Sequence, residues 1–172
     1  YKVAADSVNA SVMLSNIGQN YWSKLDFEKA IQFHQSAIAL AKKCRNLAQV
    51  ASSWSKLATL FTETNNPVAA QEALNNTVSA LRQLNDSTQL APAYQDLAAS
   101  YIKTKEFSTA FEYYNKAIGL LKASKDTVNW ALAIANLASG YQSKTDYKEA
   151  ERLYLETLTL QRKINDKPNL IY

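Results

Sequence analysis

The chain has 172 residues, 47% of them hydrophobic, with only three glycines and three prolines: enough apolar mass for a core, but too few turn formers for a β-rich fold. Its net charge of +4 arises from 19 basic and 15 acidic residues mixed along the chain, with only 11–50 clearly basic, which fits solvated helix faces better than a nucleic-acid-binding surface. The single cysteine, Cys44, excludes an intrachain disulfide and a cysteine-based metal site, and no apolar run approaches the ~18 residues of a membrane helix.

In chain order, residues 1–6 read as the end of a helix, and Asp6 opens the next one. From there the pattern repeats every 40 residues. A first helix, A, starts near 7, 47, 87 and 127, and a second, B, near 27, 67, 107 and 147. Each spans roughly 17–18 residues, and very short turns join them. Helix A carries four aligned columns: Leu14, Trp54, Tyr94, Ile134; Ile17, Leu57, Leu97, Leu137; Gly18, Ala58, Ala98, Ala138; and Tyr21, Phe61, Tyr101, Tyr141. Their spacing of i, i+3, i+4, i+7 is one face of an α-helix. Helix B carries Ala30, Ala70, Ala110, Ala150; His34, Leu74, Tyr114, Tyr154; Ala37, Thr77, Ala117, Thr157; and Ile38, Val78, Ile118, Leu158. Columns held to Gly, Ala or Thr mark close helix crossings.

Asp26, Asn66, Glu106 and Asp146 precede helix B, and Pro67 suits a first helical position. Asp6, Asn46, Asp86, Asp126 and Asp166 precede helix A, each followed three residues later by Asn or Gln, which resembles a capping box. Residues 167–172 read as the start of another helix A. Leu170, Ile171 and Tyr172 are apolar where a terminal capping helix is polar, so the chain reads as a fragment of a longer repeat array. The N-terminus lacks the basic-then-apolar pattern of a signal peptide.

The lone histidine, His34, falls in an apolar column and reads as core, as do Trp54 and Trp130; Cys44 reads as helix packing. Trp22 occupies a variable column and is either an exposed aromatic anchor or the cover of a helix end. No Gly-rich phosphate loop, metal-ligand spacing or nucleophile with a base occurs, so no catalytic site, metal or cofactor is expected.

The order aromatic or aliphatic, Leu/Ile, Gly/Ala, Tyr in helix A, followed by Ala and an aromatic in helix B, resembles the tetratricopeptide repeat (TPR). NIGQNYWSKLDFEKAIQFHQSAIAL in the first repeat and NLASGYQSKTDYKEAERLYLETLTL in the fourth carry it most closely, and Leu74 and Thr77 depart from it in the second. The 40-residue period resembles the long-helix repeats of kinesin light chains, spindle-orientation adaptors and bacterial peptide-sensing regulators. The resemblance implies an all-α, right-handed superhelical α-solenoid. It implies a single domain over 1–172, with repeats at about 7–46, 47–86, 87–126 and 127–166 and partial repeats at both ends.

The resemblance also implies a non-catalytic protein- or peptide-binding module, an adaptor or sensory part of a larger protein that grips an extended segment in its concave groove. Carried over, the groove wall is Asn16, Gln19, Ser23, Lys56, Thr59, Glu63, Asp96, Lys103, Asn136 and Ser139, with Ser15, Ser55, Gln95, Ala99, Ala135 and Ser143 beside them. Asn16 and Asn136 share a column, and an amide there donates and accepts at once, which suits a peptide backbone. The partner expected is a protein or extended peptide, with no nucleic acid and no membrane insertion. The alternative is a scaffold or oligomerisation module that uses its open ends or convex face. The cytoplasm is the favoured compartment, with the periplasm the alternative if a signal segment was removed.

Overall fold

A computed structural model describes residues 2–165, with the side chains of 6–164. Among these residues there are eight α-helices and no strand: α1 (Lys2–Ser23), α2 (Phe27–Lys43), α3 (Leu47–Glu63), α4 (Pro67–Leu84), α5 (Ser87–Lys103), α6 (Phe107–Ala123), α7 (Thr127–Ser143) and α8 (Tyr147–Asn165). Odd-numbered helices are the expected A helices and even-numbered ones the B helices. Seven of the eight start where the 40-residue period puts them.

The exception is α1, expected to start near residue 7. It runs unbroken from Lys2, so residues 1–6 are not a separate helix B and Asp6 is not a cap. Every other boundary carries a residue of left-handed conformation, and Ala4–Ala5 are strong helix formers with no such turn. The expected cap at Asp166 and the helix start at 167–172 lie outside the described residues.

All seven turns have the same geometry. One residue takes positive φ, between 54° and 67°: Leu25, Arg45, Asn65, Asn85, Lys105, Lys125 and Thr145. The next residue sends its backbone N–H back five positions, as in Asp26 N to Tyr21 O (3.0 Å) and Asp126 N to Leu121 O (3.0 Å). This is the closing bond of a Schellman turn, usually built on glycine. The residue that donates this bond also caps the following helix. Asp26, Asn46, Asn66, Asp86, Asp126 and Asp146 each accept the N–H three residues on. Glu106 makes no such bond, because its longer side chain bonds Thr104 instead. The capping box does not close reciprocally: the amides of Gln89 and Asn129 bond the carboxylates of Asp86 and Asp126, and Gln49 bonds Ser53.

The chain falls into two compact units, Tyr1–Gln89 and Leu90–Tyr172. In the first, α1 packs on α2, α2 on α3 and α3 on α4. In the second, α6 packs on α7 and α7 on α8. The small columns are the closest crossings: Ala30, Ala37, Ala98, Ala110, Ala117 and Ala138 have no accessible surface. Phe111 and Tyr141 stack at 4.0 Å between α6 and α7, and Tyr21 and Phe33 stack at 5.3 Å between α1 and α2. Three expected core columns open at one end: Ile17 in α1, and Tyr154 and Leu158 in α8, are exposed although their counterparts are buried.

Candidate functional site

The A helices lie side by side within each unit, and polar rungs join them at a separation of 41 residues. In the first unit, Lys56 Nζ donates to Ser15 Oγ (3.3 Å) and Trp22 Nε1 donates to Glu63 Oε2 (2.6 Å). In the second, Asn136 Nδ2 donates to Gln95 Oε1 (3.1 Å). Ser15 and Gln95 share a column, as do Lys56 and Asn136, so the same rung is built twice from different residue types. Its register follows from the repeat: helices 40 residues apart pack with an offset of one.

The structure divides the ten expected groove residues by exposure. In the first unit Asn16, Ser23, Thr59 and Glu63 are exposed, while Gln19 and Lys56 are half-buried. In the second unit Asp96, Lys103 and Ser139 are exposed and Asn136 is half-buried. Ser15, placed beside them by the resemblance, is buried instead, because it points under the wall towards His34. The hydroxyls of Ser23 and Thr59 donate to carbonyls of their own helix, at Gln19 and Ser55, so they face solvent as acceptors. Asn136 has a donor engaged in its rung; Asn16 has no counterpart of that bond.

Beneath the first unit's wall sits a small polar core. His34 is fully buried, with Nδ1 3.4 Å from Ser15 Oγ and with Nε2 making no protein hydrogen bond. Gly18 lies against the flat of its ring; a Cβ there would stand 3.1 Å from three ring atoms. Hence the one glycine in a column of alanines faces the one imidazole in a column of leucine and tyrosine. Burial, with the Lys56 charge second, holds the His34 pKa down at about 4, so the ring is neutral. In the second unit the equivalent residue, Tyr114, is raised to about 12 by burial and then by the charge of Asp96. Desolvation in turn raises the Asp96 carboxyl, although its side chain still reaches solvent.

Trp22 is half-buried and tied to α3 through Glu63, so it bridges two A helices and is not a free aromatic anchor. Sequence columns did not reveal the rungs, because each joins two different columns. An open depression of ≈ 680 Å³ lies at the start of α6, lined by Phe107, Phe111, Lys144 and neighbours, and contains none of the ten groove residues. Among the described residues no group of His, Cys, Asp and Glu could hold a metal, and no helix is long and apolar enough to cross a membrane.

A chain of eight helices with a 40-residue repeat has relatives among known proteins. Residues 6–165 match the sequence profile of the soluble NSF attachment protein (SNAP) family. The chain belongs to that family. Curated protein sequences contain no match. Solved structures show the same TPR-like fold. BtubC (BKLC) from P. vanneervenii superposes with a TM-score of 0.78 at 16% identity, over 91% of this chain and 65% of that one. The nearly identical TPR-like repeats of a kinesin light chain from Podosopora anserina give 0.78 at 17% identity, over 91% and 77%. A Rap protein complexed with Competence and Sporulation Factor gives 0.72 at 15% identity, over 92% and 44%. The chain thus spans 65% or less of the length of two of these proteins. The long-helix TPR resemblance read from the sequence is the fold observed.

Proposed function

We propose that the chain is a non-catalytic adaptor that binds an extended peptide or protein segment along the polar wall of its A helices. The observation that carries this reading is the wall itself. Within each unit, rungs fix the spacing of neighbouring A helices, and exposed polar groups stand between them. Asn16, Lys56 and Glu63 in the first unit, and Asp96, Lys103 and Asn136 in the second, supply donors, acceptors and both signs of charge. Packing of the small columns holds these side chains on rigid helices, which lowers the entropy lost on binding. The family's name, soluble NSF attachment protein, describes attachment, and a Rap protein of the same fold is seen complexed with a factor. Both favour an adaptor.

The test is a random-sequence peptide library panned on the chain, followed by calorimetric titration of the selected peptides. Asn16→Ala with Asn136→Ala should weaken binding by about tenfold, the loss of roughly 1.4 kcal/mol of hydrogen bonding. Charge reversals at Lys56, Asp96 and Lys103 should change which peptides are selected. Undiminished affinity in every one of these variants would move the binding site off the wall.

A further inference from the structure

The charged residues of the wall are used differently in the two units. In the first unit both are engaged within the protein: Lys56 Nζ donates to Ser15, and Glu63 accepts from Trp22. In the second unit both are unengaged. Asp96 and Lys103 are exposed on α5, and neither takes part in a hydrogen bond or ion pair among the described residues. They cannot satisfy each other, because two turns of helix hold them about 10 Å apart along its axis.

Asp96 is the more telling of the two. Lys103 stands in the last turn of α5, where the helix dipole favours a cation, but Asp96 stands mid-helix and gains nothing from it. Desolvation raises the Asp96 carboxyl, with no cation of the described residues near enough to offset it. A carboxylate so placed costs stability in the free protein and is relieved by a cation from outside. The surroundings are held open and fixed. The Gln95–Asn136 rung ties α7 to α5 at the level of Asp96. Between the two charges the exposed stripe of α5 carries only the small side chain of Ala99, and its counterpart on α7 is the equally small Ser139.

We propose that the wall of the second unit takes a ligand segment bearing both charges, a lysine or arginine side chain against Asp96 and an aspartate or glutamate against Lys103. This rests on the wall reading above and adds the chemistry of the segment. An extended chain advances about 3.3 Å per residue, so the two ligand charges stand about three residues apart. The first unit makes no such demand, because its own charges are already engaged.

A random-sequence peptide library, panned in parallel on the wild-type chain and on two single charge reversals, tests it. The wild type should enrich peptides with a base and an acid about three residues apart. Asp96→Lys should enrich an acid in place of the base, and Lys103→Glu a base in place of the acid. By fluorescence anisotropy, Asp96→Asn should weaken the best wild-type peptide about fivefold. The same peptide with norleucine in place of its base should bind wild type and Asp96→Asn alike. Thermal melts by circular dichroism check that these exposed substitutions leave the fold intact. Selected peptides that lack the base–acid pair, yet lose affinity with Asn16→Ala and Asn136→Ala, would overturn this inference and leave the wall reading standing. Peptides indifferent to every wall variant, or a library that yields no binder, would overturn both.

Discussion

Replacing His34 with leucine should make the protein less sensitive to acid. The ring has no accessible surface, and burial, followed by the Lys56 charge, lowers its pKa from 6.5 to about 4. Between those values the unfolded chain takes up a proton that the folded chain refuses. The group therefore costs nothing above pH 6.5, and stability falls as pH drops through 6.5 towards 4. From pH 7 to pH 5 the loss attributable to this ring is about 2 kcal/mol. For a chain of this length that corresponds to ~4–8 °C in Tm. A leucine at this position would copy Leu74 of the second repeat, remove the unpaired buried Nε2, and leave Ser15 Oγ its bond from Lys56. The readout is the difference between wild type and His34→Leu in urea or thermal unfolding at pH 7 and pH 5, in which titrations common to both cancel. Asp96, whose raised pKa acts in the opposite direction, is one such titration. Equal losses of stability in the two proteins on acidification would refute the argument.

Gly18→Ala alone should destabilise by ~1–2 kcal/mol, because overpacking against the buried ring outweighs a helix-propensity gain of about 1 kcal/mol. In the His34→Leu background it should stabilise instead, and additive effects in the double-mutant cycle would disprove the Gly18–His34 contact. Glu106→Asp should add ~0.5–1 kcal/mol by supplying the cap bond that glutamate does not make, whereas Asn46→Ala should lose about 1 kcal/mol. Unchanged urea midpoints for both would contradict the cap geometry. Thr145→Gly should raise stability by ~1 kcal/mol, since a β-branched residue at φ 67° is strained, and a lowered Tm would count against the turn conformation. Ala98→Leu should cost ~1–3 kcal/mol at a position with no accessible surface, and an unchanged melting curve would refute the close crossing.

The wall was only partly legible. Of the positions carried over from the resemblance, Asn16, Thr59, Asp96 and Ser139 are exposed, because a helix face beside a core stripe meets solvent. The resemblance misplaced Ser15, whose small side chain can turn under the wall to an imidazole nineteen residues away. It could not show that Trp22 reaches Glu63 or that Asn136 has a donor engaged by Gln95, since those contacts depend on the one-residue offset between neighbouring helices.

The turns show the same division. Asp and Asn caps announced the start of nearly every helix, yet the residue of positive φ before each cap carried no signal, being Leu, Arg, Lys or Thr as readily as Asn. At Asp6 the cap residue was present but the helix continued through it, because a cap residue favours a boundary without enforcing one.

Local periodicity by itself determined the helical class, the 40-residue repeat and which columns form the core, because helix geometry at 3.6 residues per turn turns spacing into faces. Tertiary structure alone decided which wall groups are engaged by rungs, why one glycine opposes one histidine, and where the core columns emerge as exposed faces in α1 and α8. Each of these depends on how one helix meets another, and no residue carries that information in its own neighbourhood.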